Sequence, residues 1–411
     1  MSDLSRTQSL ARQALLAMGC ALLLSGTAAS AQEIRIGGVF GITGGLAAYA
    51  PAIVDSAQLA VKDVNENGGV LNGRQLRLLV VDDQTNPQVS VDAARRLVSA
   101  EGVVGLVGPL GSGQVLAVAS SVTVPNSVLL LAPTATSPKL TTLEDKDFVF
   151  RTVASDSFGG KVLADIVSKR GIKNVSLMFQ NNDYGVGLAD SFRDAYKKLG
   201  GRIASDAAFE PKKASYRTEL ATAAQGGPEA LVLIAYPADG GNTILRQSLE
   251  NGFFKRFILT DGMKDQSILN EIGAKNLEGS FGVAPEAPGE SDALKRFEAA
   301  YKRASQRPVD SLFIRETYDA VMLLALAIEK AGSTDRTAIR NALRPVANPP
   351  GETVLPDEWK KARQLIAEGK DVDYIGAAGP HNFDEAGDVA GTIGHFEVKN
   401  GKFETVEVIK P

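Results

Sequence analysis

Small polar and aromatic residues recur in this sequence just after apolar, strand-like runs. In chain order they are Tyr49, Ser112, Thr134, Thr136, Tyr184, Tyr236 and Asp261. Hydroxyl groups donate hydrogen bonds to anions, and an aspartate supplies a negative charge that neutralises a cation. In an open parallel sheet, ligands bind beyond the carboxyl ends of the strands, where all these positions are expected. The pattern therefore predicts a ligand-binding site at a sheet edge.

Each of these residues, taken singly, also has a purely structural explanation. Ser112 and Thr134 are residue types that often cap a helix N-terminus. Asp261 is followed by Gly262, a pair typical of a turn. The tyrosines could be surface or hinge aromatics. It is the joint occurrence of the whole set that favours a binding site.

Catalytic chemistry has few candidates. The two histidines, His381 and His395, lie near the C-terminus and belong to no His-Glu-x-x-His motif. Residues 111–113 match only part of the Gly-x-Ser-x-Gly motif of hydrolases. Asp82 and Asp83 could hold a metal, but acidic residues at the end of a strand more often cap the next turn. We expect no enzyme activity and no metal.

Two glycine-rich stretches invite comparison with phosphate-binding loops. Gly38, Gly41, Gly44 and Gly45 follow the first strand, but their spacing differs from the dinucleotide fingerprint Gly-x-Gly-x-x-Gly. Residues 108–114 lack the Lys-Ser/Thr pair of a Walker loop. We therefore expect no nucleotide cofactor. The first turn is instead predicted to bring the backbone close to a ligand.

The residues that could bind a ligand are separated by alternating strand and helix patterns. The first series has strand-like runs at 34–40, 75–83, 103–109 and 127–132, and helical patterns near 46–67, 87–100 and 112–123. Ile53, Ala57, Val61 and Val64 fall on one helix face, and Gly68 follows the helix. Such alternation predicts a parallel sheet covered by helices.

A second series of the same kind begins after 148–156. Its strands are expected at 174–180, 202–209, 230–236 and 256–261, with helices near 184–199, 216–225, 240–251 and 267–273. Further helices are expected near 291–305, 311–331, 334–343 and 356–368, and strand-like pieces at 379–388 and 393–409. Two sequential α/β units predict two lobes, with short paired crossovers forming a hinge.

The N-terminus has the pattern of a secretory signal peptide. Arg6 and Arg12 precede an apolar run at 14–24, and Ala29 and Ala31 form an A-x-A cleavage site. We expect 1–31 to be removed and the mature chain to be periplasmic, without a disulfide, because the single cysteine is Cys20. Lipidation of Cys20 is the alternative, although the residues before it make a poor lipobox.

Composition and charge narrow the classes of partner. The chain has 411 residues, 44% of them hydrophobic, and a net charge of −4. This length favours two domains, and the slightly acidic balance disfavours binding to nucleic acid or to an anionic membrane. After the signal peptide, no run approaches the length of a transmembrane helix. We expect a soluble, monomeric binding module.

Several segments together carry a family resemblance across the chain from about Ile34 onward. They are TGGLAAYAPAIVDSAQLAVKDVNENGGVLNGRQLRLLVVDDQTNP, VGPLGSGQ, LLAPTATSPKL, VFRTVASD, NNDYGVGLAD, TILRQSLENGF and GPHNFDEAGD. In these segments the chain resembles type I periplasmic solute-binding proteins of the branched-chain amino acid transport group. The resemblance implies an α/β fold of two lobes, each a doubly wound parallel-sheet unit, joined by a three-stranded hinge. It places lobe I at 32–152 plus 283–392, and lobe II at 153–282 plus 393–411.

The resemblance also implies roles for the polar residues. Ser112 matches a serine that holds the ligand α-carboxylate together with backbone N–H groups. Thr134 and Thr136 match contacts to the carboxylate and to the α-ammonium. Asp261 aligns with the acid that neutralises the ammonium. Such pairing suits an amino acid, because burying either charge of a zwitterion unpaired is very costly.

The tyrosines take positions at the other end of the expected ligand. Tyr184 matches a tyrosine of the second lobe. Tyr49 and Tyr236 align with aromatics that line the side-chain end. A ligand that contacts residues of both lobes would favour the closed form of the protein. The resemblance implies that the partner recognising this closed form is the membrane permease of an ABC importer.

The sequence departs from the reference family at two places. A disulfide that bridges the loops around Thr85 and Gly111 in some relatives is absent, and residues 355–379 form a longer stretch. This stretch resembles subgroups that bind other amino acids, amides or aromatic acids. The sequence therefore leaves two classes of ligand, a branched-chain amino acid and a related solute. The alternative function is a sensor that presents an amide or aromatic acid to a receptor.

Overall fold

A computed structural model of the chain describes residues 33–411. The predicted signal peptide, 1–31, and Cys20 lie outside the described residues. Within 33–411, none of the helices combines the length and the apolar character needed to cross a bilayer.

The first half of the described chain alternates strands with helices. Strands β1 to β5 span Ile34–Phe40, Leu76–Asp82, Gly105–Val107, Leu129–Ala132 and Val149–Arg151. Helices α1 to α3 span Ala50–Glu66, Pro87–Ser99 and Ser112–Val118, the last continuing as a π-helix to Thr123. The strands form a parallel sheet in the order β2-β1-β3-β4-β5, with Ile34 beside Leu76 in register.

Both faces of this first sheet are covered. Ile36 and Leu131 share one apolar cluster with Ile53 of α1, whereas Leu106 and Leu130 share a second cluster with Leu97 of α2. Burial on two faces explains why these strands are almost continuously apolar rather than alternating. The doubly wound arrangement expected for the first lobe is confirmed.

The second half builds a larger sheet. Strands β6 to β10 span Asn174–Gln180, Arg202–Phe209, Ala230–Ile234, Phe257–Leu259 and Phe281–Glu286. Helices α4 to α9 span Asp156–Lys169, Asp183–Lys198, Arg217–Ala223, Asn242–Glu250, Gln266–Ile272 and Ala274–Leu277. Short π and 3-10 turns, Pro237–Gly241 and Asp261–Met263, follow β8 and β9.

The chain then completes both lobes. Helices α10 to α13 span Asp292–Ala304, Ile314–Ala331, Arg336–Ala347 and Trp359–Ala367, and strands β11 to β15 span Glu352–Val354, Val372–Gly376, Gly379–Pro380, Thr392–Lys399 and Lys402–Ile409. Strands β11 to β13 form a small sheet, and β14 and β15 join the second sheet in the order β15-β14-β10-β9-β8-β6-β7. Helix α11 packs against α1 and the first sheet.

Three crossings connect the lobes. The chain passes from β5 to α4 through 152–155, from β10 to α10 through 287–291, and into β14 through 387–391. The segments touch one another: the Arg151 N–H donates to the Gly387 carbonyl at 3.0 Å, and the Thr392 hydroxyl donates to the Glu286 carbonyl. Three adjacent short segments form the expected hinge.

Several predicted boundaries are wrong for identifiable reasons. Helix α1 begins at Ala50 rather than near 46, because 41–49 form turns in which Gly44 has φ 87°. Residues 379–388 are mostly loop: the Asp384 carboxylate accepts from the Ala386 and Asp388 N–H groups, both at 2.9 Å, and closes a turn.

The second sheet also differs from a purely parallel one. Residues 393–409 are not a single strand but the antiparallel hairpin β14–β15, and β14 pairs antiparallel with β10. Asn400 and Gly401, with φ of 51° and 77°, make the turn. An Asn-Gly pair with both φ positive matches the twist of a hairpin, and this signal in the sequence was missed.

Candidate functional site

Five of the seven predicted site residues line one cavity between the lobes. Tyr49 and Thr134 belong to the first lobe, and Tyr184, Tyr236 and Asp261 belong to the second. Each follows a strand or opens a helix at the sheet edge, as the parallel topology requires. The remaining wall is mostly apolar and consists of Leu46, Ile53, Leu110, Gly262 and Phe313.

The other two predicted residues are buried beside the cavity wall. The Ser112 hydroxyl accepts from the Ser137 N–H at 3.2 Å, and the Thr136 hydroxyl donates to the Asp156 carboxylate at 2.7 Å. Ser112 is the first residue of α3, and Gly111 takes the N-cap position. The Ser112 hydroxyl therefore lies at the start of α3, and the Thr136 hydroxyl lies in the loop after β4.

The structural alternatives for single residues hold for Asp261 but not for Thr134. The Thr134 hydroxyl donates to the Leu110 carbonyl rather than capping a helix. Tyr49, Tyr184 and Tyr236 are buried, with exposed fractions of 3%, 2% and 6%. Asp261 does begin a turn, yet its carboxylate is buried against Tyr184. The turn and the buried acid coexist.

Asp261 is a buried acid without a basic partner. Its carboxylate accepts a hydrogen bond from the Tyr184 hydroxyl at 2.7 Å. Burial raises the pKa of Asp261 to about 6, and the Tyr184 bond offsets only part of this effect. In the described chain, no lysine or arginine forms an ion pair with it. A cation entering the cavity would therefore find an uncompensated carboxylate.

Asp156 is a second buried acid, and the sequence reasoning missed it. It is the first residue of α4, and its carboxylate accepts the Thr136 hydroxyl. Burial, followed by the negative charge of Asp261, raises the pKa of Asp156 well above its usual range, against a smaller opposing effect of Arg151. The signal was available, because Asp156 follows β5 as the predicted residues follow their own strands.

Arg151 positions the loop that carries the threonines. Its guanidinium donates to the Thr136 and Ser137 carbonyls at 3.1 and 3.0 Å and pairs with Asp388 at 2.5 Å. The side chain is 1% exposed. These buried hydrogen bonds from the Arg151 guanidinium fix the backbone of the loop. They thereby hold the Thr136 hydroxyl beside Asp156.

The lobes are in direct contact across the cleft. The Tyr49 hydroxyl lies 3.0 Å from the Gly262 carbonyl and 3.3 Å from the Asp261 carbonyl, which accept its hydrogen bond. A Cβ atom on Gly45 would lie 2.2 Å from an Asp239 carboxylate oxygen and 3.1 Å from the Tyr236 ring. The opening glycine turn therefore serves close approach of the second lobe.

The enclosed space is small in this closed arrangement. The cavity has a volume of about 10 Å³, which is room for about one water molecule. The rings of Tyr184 and Tyr236 stack at 5.1 Å and narrow it from one side. An amino acid would enter only after the lobes separate and the side chains rearrange.

The other residues considered for chemistry lie away from this cavity. The His381 imidazole is 3.6 Å from the Asp319 carboxylate, and burial lowers the pKa of His381 to about 4. His395 lies on β14 beside Arg170. The Asp82 carboxylate accepts from the Thr43 hydroxyl at 2.6 Å. In residues 33–411, no three acidic, histidine or cysteine side chains converge as a metal site.

Comparison with known proteins gives one family and a consistent set of relatives. A family model described as periplasmic binding protein matches residues 33–386. The chain is 27% identical over 316 residues to the leucine-, isoleucine-, valine-, threonine- and alanine-binding protein of Pseudomonas aeruginosa, covering 77% of this chain and 83% of that one. It is 30% identical over 311 residues to Leu/Ile/Val-binding protein homolog 3 of Brucella melitensis, covering 74% and 81%.

Solved structures agree with the sequence comparison. The branched-chain amino acid transporter substrate-binding protein LivJ of Streptococcus pneumoniae, in complex with isoleucine, superposes with a TM-score of 0.77 at 27% identity, covering 92% of this chain and 100% of that one. A leucine-binding protein, LivK of Thermotoga maritima, superposes with a TM-score of 0.78 at 26% identity, covering 92% and 99%.

Proposed function

The chain belongs to the periplasmic binding protein family, and on this basis we propose that it is the substrate-binding component of an ABC importer for a branched-chain or related amino acid. Its relatives carry names of leucine-, isoleucine- and valine-binding proteins. The observation that supports this ligand class most directly is the buried acid Asp261, which pairs with no lysine or arginine of residues 33–411 and lies on the wall of an interlobe cavity lined by apolar and hydroxyl-bearing side chains.

The ammonium group of the ligand would bind between the two acids. Asp261 supplies a carboxylate already oriented by the Tyr184 hydroxyl, and Asp156 lies near enough for the charge of Asp261 to raise its pKa. A cation placed there would offset the repulsion that Asp261 exerts on Asp156 and would favour the ionised form of both groups. Hydrogen bonds to charged groups contribute about 1.5–3 kcal/mol each.

The α-carboxylate would bind to the first lobe. The hydroxyls of Ser112, Thr134 and Thr136 lie on two neighbouring loops, and the backbone N–H groups at the start of α3 add further donors. These hydroxyls now bond to protein groups such as the Leu110 carbonyl. Rotation of a hydroxyl is enough to redirect its donor toward an anion.

The side chain of the ligand would meet the apolar wall. Leu46, Ile53, Leu110 and Phe313 line this part of the cavity. An aliphatic side chain fits such a surface, since each buried CH₂ contributes about 0.8 kcal/mol. A ligand with a carboxylate but no ammonium, such as an aromatic acid, would place its charge near two unneutralised acids. The site therefore disfavours the sensor function for an aromatic acid.

Binding would couple to opening and closing at the three crossings. The proposed lobes meet there, close to the predicted boundaries at 152, 283 and 393. Because residues of both lobes touch the ligand, it would stabilise the closed form and shift the equilibrium toward it. We propose that the closed form then docks, as a monomer in the periplasm, on a membrane permease and that the protein catalyses no reaction.

A ligand pair that differs by one group tests the assignment. Thermal unfolding of the mature chain is measured with L-leucine and with 4-methylpentanoate, which is leucine without its ammonium group. A ligand at 100 times its Kd stabilises the folded state by about 2.7 kcal/mol. We expect leucine, or another amino acid of a full panel, to raise the melting temperature, and 4-methylpentanoate to leave it unchanged. Equal stabilisation by both would show that the acids do not select an ammonium.

A further inference from the structure

A buried glutamine is hydrogen-bonded to the backbone of the cavity wall. Gln180 is the last residue of β6 and is 3% exposed. Its side-chain carbonyl accepts from the Tyr236 N–H at 3.1 Å, and its side-chain amide donates to an Asp239 carboxylate oxygen at 3.1 Å. Tyr236 lines the cavity, whereas Gln180 and Asp239 do not. Gln180 therefore connects a backbone group of the wall to a buried acid.

The turn that carries this acid is itself held in place. Asp239 lies in the π turn Pro237–Gly241, and its carbonyl accepts from the Lys212 N–H at 3.0 Å and from the Tyr216 hydroxyl at 3.4 Å. One oxygen of its carboxylate accepts from Gln180, and the other makes no hydrogen bond within residues 33–411. The Lys212 Nζ atom lies 3.8 Å from that second oxygen, on a mostly exposed side chain. The Gln180 amide is therefore the close partner of a desolvated charge.

The first lobe meets the same acid across the cleft. A Cβ atom on Gly45 would lie 2.2 Å from an Asp239 carboxylate oxygen and 3.1 Å from the Tyr236 ring. Gly45 is not one of the glycines with a positive φ, so its own backbone would accept an alanine. What leaves no room for a Cβ atom is the second lobe. Closure therefore brings the backbone of the first lobe against the acid that holds Gln180.

We infer that Gln180 and Asp239 form a positioning pair that couples closure of the lobes to the geometry of the binding cavity. Contact with Gly45 fixes the acid, the acid orients the Gln180 amide, and the amide fixes the backbone at Tyr236. The pair acts through these contacts and not by touching the ligand. The inference rests on the proposed function, because it assumes that a ligand binds in the cavity between the closed lobes.

Reversing the direction of one hydrogen bond tests the pair. Gln180→Glu keeps an oxygen for the Tyr236 N–H but places a second carboxylate against Asp239, and repulsion breaks the bond. Adding Asp239→Asn to this variant restores the bond in the opposite direction and returns the net charge to that of the wild type. Gln247→Glu is the matched control, because Gln247 is a buried glutamine that accepts from the Tyr216 N–H at 2.7 Å and does not line the cavity.

The expected result is a loss of affinity that the second substitution reverses. The probe is L-leucine, or the amino acid of the panel above that stabilises the wild-type protein most if leucine does not bind. Calorimetry gives its Kd, and circular dichroism checks folding. Gln180→Glu should bind the probe about tenfold more weakly, since a buried polar group loses its partner. The double variant should bind within about threefold of the wild type, and Gln247→Glu should bind as the wild type does.

A second cycle tests the contact across the cleft. Gly45→Ala should weaken binding about tenfold, because the added methyl group overpacks the closed form. It should also reduce the compaction that the probe causes in small-angle scattering. Asp239→Ala removes the oxygens that the methyl group would meet. The double variant should therefore bind at least as tightly as Gly45→Ala, although each single substitution weakens binding.

The contrary results are distinct from failure of the proposed function. The inference is wrong if Gln180→Glu binds the probe as tightly as the wild type, or if adding Asp239→Asn recovers nothing. It is also wrong if the losses from Gly45→Ala and Asp239→Ala simply add. Each of these outcomes leaves the wild-type protein binding an amino acid. If Gln180→Glu does not fold, the cycle at Gly45 decides. If the wild-type protein binds no amino acid of the panel, the proposed function and the inference fail together.

Discussion

Two carboxylates at the junction of the lobes, one buried and one partly buried, have opposite environments. Asp261 in the cleft accepts a hydrogen bond from Tyr184, and burial raises its pKa to about 6. Glu286, at the hinge end of β10, is also desolvated, yet its pKa falls to about 2 because Arg315 and Lys264 lie beside it. The Thr405 hydroxyl donates to the same carboxylate at 3.0 Å.

The difference distinguishes a structural acid from a binding acid. At the hinge, the fold itself supplies the cations, so Glu286 links Arg315 of the first lobe to Lys264 of the second. In the cleft, the described residues bring two acids together, and no lysine or arginine of 33–411 forms an ion pair with either of them. The cleft carboxylates lose their hydration and gain no protein cation in exchange. A cationic group of a ligand would supply the positive charge that these carboxylates lack, so the cleft favours binding of a cation from solution.

The largest effect should follow from removing the hinge acid. Glu286→Gln leaves two largely buried cations, Arg315 and Lys264, without their anion, and breaking a fully buried ion pair costs about 3–5 kcal/mol, so we expect a loss toward the lower end of that range. Urea denaturation of the ligand-free protein should show this loss. Glu219→Gln is the control: it breaks a half-exposed pair with Lys213 and should cost about 1 kcal/mol or less. Equal stability of the two variants would contradict the structural role of Glu286.

The next effect concerns the cleft acid. Asp261→Asn should weaken amino acid binding about a hundredfold, because truncating one partner of a buried charge pair costs about 2–5 kcal/mol. Stability of the ligand-free protein should not fall, because the substitution removes an uncompensated charge. Calorimetry and thermal unfolding measure the two quantities. Asp206→Asn, on β7 beside Arg193, should change neither binding nor the ligand-induced stabilisation. Retained affinity in Asp261→Asn would assign the ammonium to another group.

The smallest effect is a difference in pH dependence. Asp261 has a folded pKa of about 6, and the ammonium pairs with its ionised form, so affinity should fall about tenfold from pH 7 to pH 5. The sign for stability is opposite: a raised pKa means that the ligand-free protein gains stability as pH falls through 6 toward 4. Glu286, whose pKa is lowered from its usual value of 4.5 to about 2, contributes stability that is lost progressively as pH falls from about 4.5 through 2. The pH dependence of affinity should be weaker in Asp261→Asn, because of the two acids proposed to hold the ammonium only Asp156 still titrates; an unchanged pH profile would implicate a different acid.

The sequence predicted the fold well where apolar periodicity is strong. The parallel strands from β1 to β9 and helices such as α2 and α11 lie within a few residues of the predicted bounds. The prediction from sequence failed where a single side chain or turn determines the backbone conformation. Asp384 closes a loop within 379–388, which was predicted to be strand-like, and Asn400 begins the turn of the β14–β15 hairpin. Such interactions are local but carry no periodic signal.

For the site, the sequence supplied residues but not their arrangement. Tyr49 and Asp261 were identified from their positions after strands, although 212 residues separate them and their contact depends on closure of the lobes. Asp156 and Phe313 were missed, since a buried acid and a turn residue with φ 67° look ordinary in a sequence. The roles of the seven predicted residues remain predictions that the variants above test.

The sequence alone determined the alternation of strands and helices, and therefore the sheet edges at which polar residues collect, because apolar spacing fixes which faces are buried. The tertiary structure decided which of those edges face each other and which charges meet. Burial and proximity set the pKa of a carboxylate, and both depend on chain segments far apart in sequence. That is why Asp261 and Glu286, both simply acidic residues in the sequence, differ in the folded protein.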